Sequence, residues 1–289
     1  MWPLNNIFNN LLNGGYNGHQ EVNDISVVES YSFKLPLKNE KNKKEVLVES
    51  RFVNVPHLKQ ERTWDCGLVC VLMVLKTLNI NHFDIKDLEA FCHTNSIWTV
   101  DLAYLLQKLS ISFSYITVTL GANPNFSLET FYEKQLTDDI VRVNMLFQRS
   151  QEAGIDIECR SIKGDEIALL ILSGKYILIA LVDKYILSKP WTHDEYLSNF
   201  SSGSSGYTGH YIVICGYDAL TGEFEIRDPA STRTRETISS RCLEKARKSF
   251  GTDEDILLVI YIWRIQILKT DLKYKYSMVK IDQCLSKST

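Results

Sequence analysis

The chain of 289 residues has no excess of charge to recruit a partner: 35 acidic against 32 basic residues leave a formal net charge of -3. At a pI near 6.1 no global field draws in nucleic acid or an anionic membrane. No apolar run approaches the ~20 residues of a membrane span. The opening MWPLNNIFNNLLNGG lacks the basic flank and continuous apolar core of a signal peptide. Seven cysteines form no CxxC pair and no Cys/His cluster with zinc-site spacing. Their odd number, spread over a full-sized chain, fits free thiols in a reducing compartment, so a cytoplasmic location is expected. No internal repeat is found. The serine-rich stretch from Ser201 to Ser205 is not a phosphate-cradling loop, since no Lys follows, and it reads as a flap. Nucleic-acid binder, membrane protein, disulfide scaffold and zinc module are thereby set aside.

What is present is concentrated between Pro56 and Asn79, PHLKQERTWDCGLVCVLMVLKTLN. Gln60 stands shortly before Cys66, and Cys66 opens an apolar run long enough for about three helical turns. A cysteine there meets unpaired backbone N–H groups and the positive end of the helix dipole, which favour a thiolate nucleophile. The Cys66 N–H and the Gln60 amide together suit a developing oxyanion. Asp65 is expected to cap the helix and Trp64 to pack or to line a cleft. Cys70, one turn on, reads as a core residue, with a resolving thiol as the alternative.

The order of elements follows from hydrophobic periodicity. Residues 1 to about 45 are Asn- and Gly-rich, then charged, and are expected as an arm; 46–265 form one domain and 266–289 a tail. A strand is expected over Val46 to Val55. Helices follow from Cys66, over Asp84 to Cys92 capped by Asp84, and over Thr99 to Leu109 capped by Thr99. Ser112 to Thr119 reads as a strand, Phe126 to Gly154 as a helix broken near Leu136, Ile155 to Arg160 as a strand and Gly164 to Leu172 as a helix. The texture then turns to strand: Tyr176 to Val182, a polar loop from Lys184 to Gly209, His210 to Tyr217, and Glu223 to Arg227 as its hairpin partner. A helix over Ser239 to Phe250 and a strand over Ile256 to Trp263 close the domain. Asp253 to Asp255 reads as a solvated turn, with metal binding a weaker second. The pattern is α+β, an N-terminal helical half packed on a C-terminal antiparallel sheet, with the site at the seam.

Of six histidines only His210 starts a hydrophobic strand directly after a glycine-rich loop. Its separation from Cys66 falls within the roughly 130–150 residues between nucleophile and base in papain-like enzymes. Asp228, at the end of the hairpin partner and fixed by Pro229, is placed to orient the imidazole. Gln60, Cys66, His210 and Asp228 thus make a candidate oxyanion donor, nucleophile, base and orienter.

Q-x4-DCG-x2-C, then GHYIV and DP far downstream, resembles papain-like peptidases of the bacteriocin-processing (C39) type. Over nearly the whole chain the sequence resembles the plant soluble guanylyl cyclase family through MWPL, TWDCGLVCVLMVL, TNSIWTVDLAYLLQK, TGHYIVICGYD, FEIRDPAS and ARKSFGTDEDILL. The first resemblance implies a papain-like fold and attack by Cys66 on a peptide or acyl carbonyl without metal. The second implies conversion of GTP to cGMP and pyrophosphate with Mg or Mn. Cyclisation requires metal-bridging carboxylates and cations on a triphosphate, and the sequence offers no carboxylate pair at fixed spacing for that task. The residues therefore favour thiol chemistry, with cyclase activity or a non-catalytic binding module as alternatives.

Overall fold

Strands rich in Val, Ile and Leu on both faces need cover on both sides. A computed structural model of the protein describes residues 49–123, 136–188 and 208–261. The arm over 1–45, the tail over 266–289, the first piece of the 126–154 helix and most of the 184–209 loop lie outside the described residues. Within them, the strands are β1 (Ser50–Phe52), β2 (Phe113–Thr117), β3 (Ile157–Cys159), β4 (Tyr176–Asp183), β5 (Gly209–Asp218), β6 (Glu223–Arg227), β7 (Glu236–Ser239) and β8 (Ile256–Ile260). They form one eight-stranded sheet in the order β3-β2-β8-β4-β5-β6-β7, with β1 also pairing with β5. Every pairing is antiparallel except β2 with β3.

The period of two sorts the central strands into two cores. Ile177, Ile179, Tyr211, Val213, Leu257 and Val259 join the helices α1 (Cys66–Thr77), α2 (Ile85–Cys92) and α3 (Thr99–Lys108). Their alternates, Leu178, Ala180, Ile212, Ile214, Ile256 and Leu258, meet α5 (Gly164–Leu172) and α7 (Ser240–Arg247) on the other face. The expected α+β class holds, with the N-terminal helices on an antiparallel sheet, and a second helical layer is added. α4 (Leu136–Gln148) begins where the break was expected, and α6 (Lys184–Ser188) is a short helix in place of the first residues of the polar loop.

α1 is the central helix. All residues from Cys66 to Leu75 are buried, so it is apolar around its whole circumference, as an enclosed helix must be. Each buried Leu or Val side chain there contributes about 1.5–3 kcal/mol relative to exposure.

Several local expectations change in tertiary context. Of the strand expected over Val46 to Val55, residues 46–48 lie outside the described residues, and the remainder is strand only over β1. Asp84 caps α2 in a full capping box: its Oδ1 accepts the N–H groups of Lys86 and Asp87, and Asp87 Oδ2 accepts that of Asp84. Thr99 is not a cap. Trp98 holds that position, and Asp101 Oδ2 accepts its N–H at 2.8 Å. The Thr99 hydroxyl instead pairs with Tyr211 Oη at 2.9 Å inside the core. The turn at Asp253 to Asp255 is not solvated throughout. Asp253 and Glu254 adopt left-handed φ angles of 47° and 52°, and Asp255 is turned inward, buried beside Tyr115.

Candidate active site

The site forms where the head of α1 meets the first residue pairs of β5 and the end of β6. Cys66 is the first helical residue, with Asp65 at the N-cap position. Gly67 follows for a steric reason: a Cβ there would lie 2.9 Å from Leu102 Cδ1 and 3.0 Å from Tyr211 Cδ2. The first turn of α1 therefore rests directly on the Tyr211 ring, and Tyr211 is the neighbour of His210. Cys66 and His210 are held by adjoining residues of one packed contact.

His210 is 2% exposed, and its Nε2 meets Asp228 Oδ1 at 2.6 Å. The Cys66 side chain is also near enough to the ring to favour its charged form. Since Nε2 is engaged by Asp228, Nδ1 is the nitrogen left for sulfur. Burial pulls the imidazole pKa down, but the hydrogen bonds and charges of Asp228 and Cys66 overcome it and raise the value from 6.5 to about 9. For Asp228, burial works upward, and the His210 hydrogen bond and charge, an N–H from Ala230 and the Lys184 charge bring its carboxyl below the ordinary range. Ala230 N–H donates to Asp228 Oδ1 at 2.7 Å, which holds the carboxylate in an Asx turn.

The structure brings Cys66, His210 and Asp228 together. Gln60 is placed by a set of backbone contacts. Arg227 Nε donates to Val55 O at 2.8 Å, His57 Nε2 to Asp228 O at 2.9 Å, and the Gln60 N–H to Pro229 O at 2.8 Å. The segment from Val55 to Gln60 is thereby zipped onto Arg227 to Pro229. The Gln60 side-chain nitrogen donates to Arg62 O at 2.7 Å, and its Oε1 is buried without a partner. His57 is the residue that sequence reasoning missed. The only available signal was its place in the same short stretch as Gln60.

Asp65 departs from expectation. Its side chain makes no cap; Oδ2 folds back to accept the N–H groups of Glu61 and Arg62, each at 3.2 Å. Cys70 is fully buried among core side chains. Burial, then the electrostatic influence of Cys66 and Asp228 nearby, push its thiol well above the ordinary range, as suits a core residue. Trp64 is partly buried against the α1 core, with the Arg62 guanidinium 5.3 Å over its ring. Among the described residues no group of three or more His, Cys, Asp or Glu side chains is placed to hold a metal ion. No helix among them is long and apolar enough to cross a membrane.

The family model described as guanylylate cyclase matches residues 55–259. A relative named guanylyl cyclase 1, from Arabidopsis thaliana, is 53% identical over 263 residues, covering 90% of this chain and 96% of the relative. Among solved structures, one from Bacillus anthracis named as a C39-like peptidase is 14% identical; the match covers 73% of this chain and 98% of that one, with a TM-score of 0.43.

Proposed function

The chain belongs to the guanylylate cyclase family, and within it we propose a thiol hydrolase acting on a peptide, isopeptide or acyl-thiol carbonyl. The observation that supports this reading is the placement of one buried imidazole, His210, between the Cys66 side chain and the Asp228 carboxylate.

In this reading Cys66 and His210 form a thiolate–imidazolium pair, with the proton on Nδ1 and Asp228 fixing the ring through Nε2. Sulfur attacks the carbonyl carbon, and the carbonyl π electrons move onto oxygen. The Cys66 N–H, which has no acceptor within the helix, and the Gln60 amide hold that oxyanion. The oxyanion collapses, the bond to the leaving group breaks, and His210 delivers its proton to that group. Water, deprotonated by His210, then hydrolyses the thioester, the sulfur leaves with its electron pair, and the thiolate–imidazolium pair is regenerated. No cofactor enters these steps.

The second reading, conversion of GTP to cGMP, is favoured by the name of the Arabidopsis relative. Magnesium or manganese would be its implied metal. The described residues supply no clustered ligand set that fits one.

A paired assay on wild type and Cys66→Ala separates the two. Thiol chemistry predicts rapid iodoacetamide labelling at Cys66, slowed at least ~10-fold in His210→Ala. Metal-dependent cGMP formation at equal rates in wild type and Cys66→Ala would sink the thiol reading and favour the cyclase. Slow labelling with no cGMP would leave a binding module.

A further inference from the structure

Asp65 occupies the N-cap position of α1 without capping it, and it is 1% exposed. A carboxylate so deeply buried is costly unless its bonds serve some purpose. Those bonds run backward, away from the helix. Oδ2 accepts the Glu61 and Arg62 N–H groups. The Arg62 carbonyl, on the far side of the same residue, accepts the Gln60 side-chain amide at 2.7 Å. The Arg62 guanidinium is ion-paired to Glu89 and lies over Trp64, so this residue is fixed at backbone and side chain alike. The Gln60 N–H is tied to Pro229 O at 2.8 Å, beside Asp228.

A glutamine side chain has three rotatable bonds, and an oxyanion donor works only if its N–H is already aimed. Nitrogen Nε2 carries two protons. One is held by Arg62 O, which sets the amide plane and leaves the other for a developing negative charge. The plane is as well defined as the Arg62 carbonyl, and Asp65 Oδ2 holds the N–H of the same residue, in the preceding peptide unit.

We infer that Asp65 is a positioning residue that aims the Gln60 amide through the Arg62 backbone, so that its effect falls on reactions that form an oxyanion. This rests on the thiol-hydrolase reading above, and the test separates the two.

Two reagents at Cys66 differ in that respect. With iodoacetamide, sulfur forms a bond to a saturated carbon and iodide leaves, with no oxyanion. With p-nitrophenyl acetate, sulfur adds to a carbonyl, an oxyanion forms, the C–O bond breaks, and an acetyl thioester and p-nitrophenolate result. In the full chain Asp65→Ala is expected to slow acylation of Cys66 by ~10–100-fold while changing alkylation by less than ~3-fold. Asp65→Asn keeps an oxygen acceptor for the two N–H groups and is expected to recover acylation to within ~3-fold of wild type. Gln60→Ala is expected to show the same split, and the double variant Gln60→Ala/Asp65→Ala to be no slower than the worse single one. An equal loss with both reagents makes Asp65 structural only, and unchanged acylation or additive losses in the double variant overturn the inference while the hydrolase reading stands. Wild type that is alkylated at Cys66 but never acylated there would bring down the hydrolase reading itself.

Discussion

His210 keeps its proton in a place where burial alone would remove it, because the Asp228 carboxylate and the Cys66 side chain both favour the charged ring. Its value is raised from 6.5 to about 9, so the folded state binds this proton more tightly than the unfolded chain. The resulting stabilisation is fully present below pH 6.5 and is lost as pH rises through about 9. Asp228, moved the other way, contributes above its ordinary range, and its contribution fades as pH falls. Thermal unfolding of wild type and His210→Ala should therefore differ most in the mildly acidic range, and the gap should narrow between about pH 6.5 and about pH 9. A gap independent of pH would remove the ion pair from the account. The same residue shows what was legible in advance. His210 and Asp228 are recognisable because each sits at a strand end beside a turn or loop, whereas His57 gives no local sign. Its partner, the Asp228 carbonyl, is reached only through the long-range zipping of Val55 to Gln60 onto Arg227 to Pro229.

At the scale of an element, the turn before β8 behaves unlike an acidic surface turn. Asp255 lies buried beside the hydroxyls of Thr99, Thr117 and Tyr115, and burial raises its carboxyl from 3.8 to about 7. Its Oδ1 has no partner. A raised acid stabilises the fold below its unfolded pKa of 3.8, and that contribution is lost as pH rises through about 7. Asp255→Asn is neutral at every pH, so its melting temperature relative to wild type should rise between about pH 4 and about pH 7. A relative melting temperature that falls over that range would show the carboxylate to be stabilised by its neighbours instead. The buried Thr99–Tyr211 hydroxyl pair belongs to the same contact system, which ties the start of α3 to the strand that bears His210.

For the whole molecule, the sheet is enclosed by helices on both faces. Neighbouring residues of β4 test this, because Leu178 and Ile179 face opposite cores and are 0% and 1% exposed. Leu178→Ala and Ile179→Ala should each cost ~2–5 kcal/mol in denaturant unfolding. A sheet covered on one side would lose that much at only one of the two positions. The double burial also explains the precision of the site: α1 cannot shift against β5 without opening a packed interior.

The sequence by itself determined the order of helices and strands apart from α6 and β7, the central apolar helix headed by Cys66, the strand that begins at His210 and the hairpin that ends at Asp228. These are legible because periodicity, capping preferences and turn residues act over a few positions. Tertiary structure alone decided that Asp65 turns back to Arg62, that Thr99 serves Tyr211, that Asp255 is buried and that α5 and α7 cover the second face of the sheet. In each case the outcome was set by the competition for buried polar partners and apolar cover. The competing groups are mostly distant in sequence, and only the folded chain brings them within hydrogen-bonding or van der Waals reach.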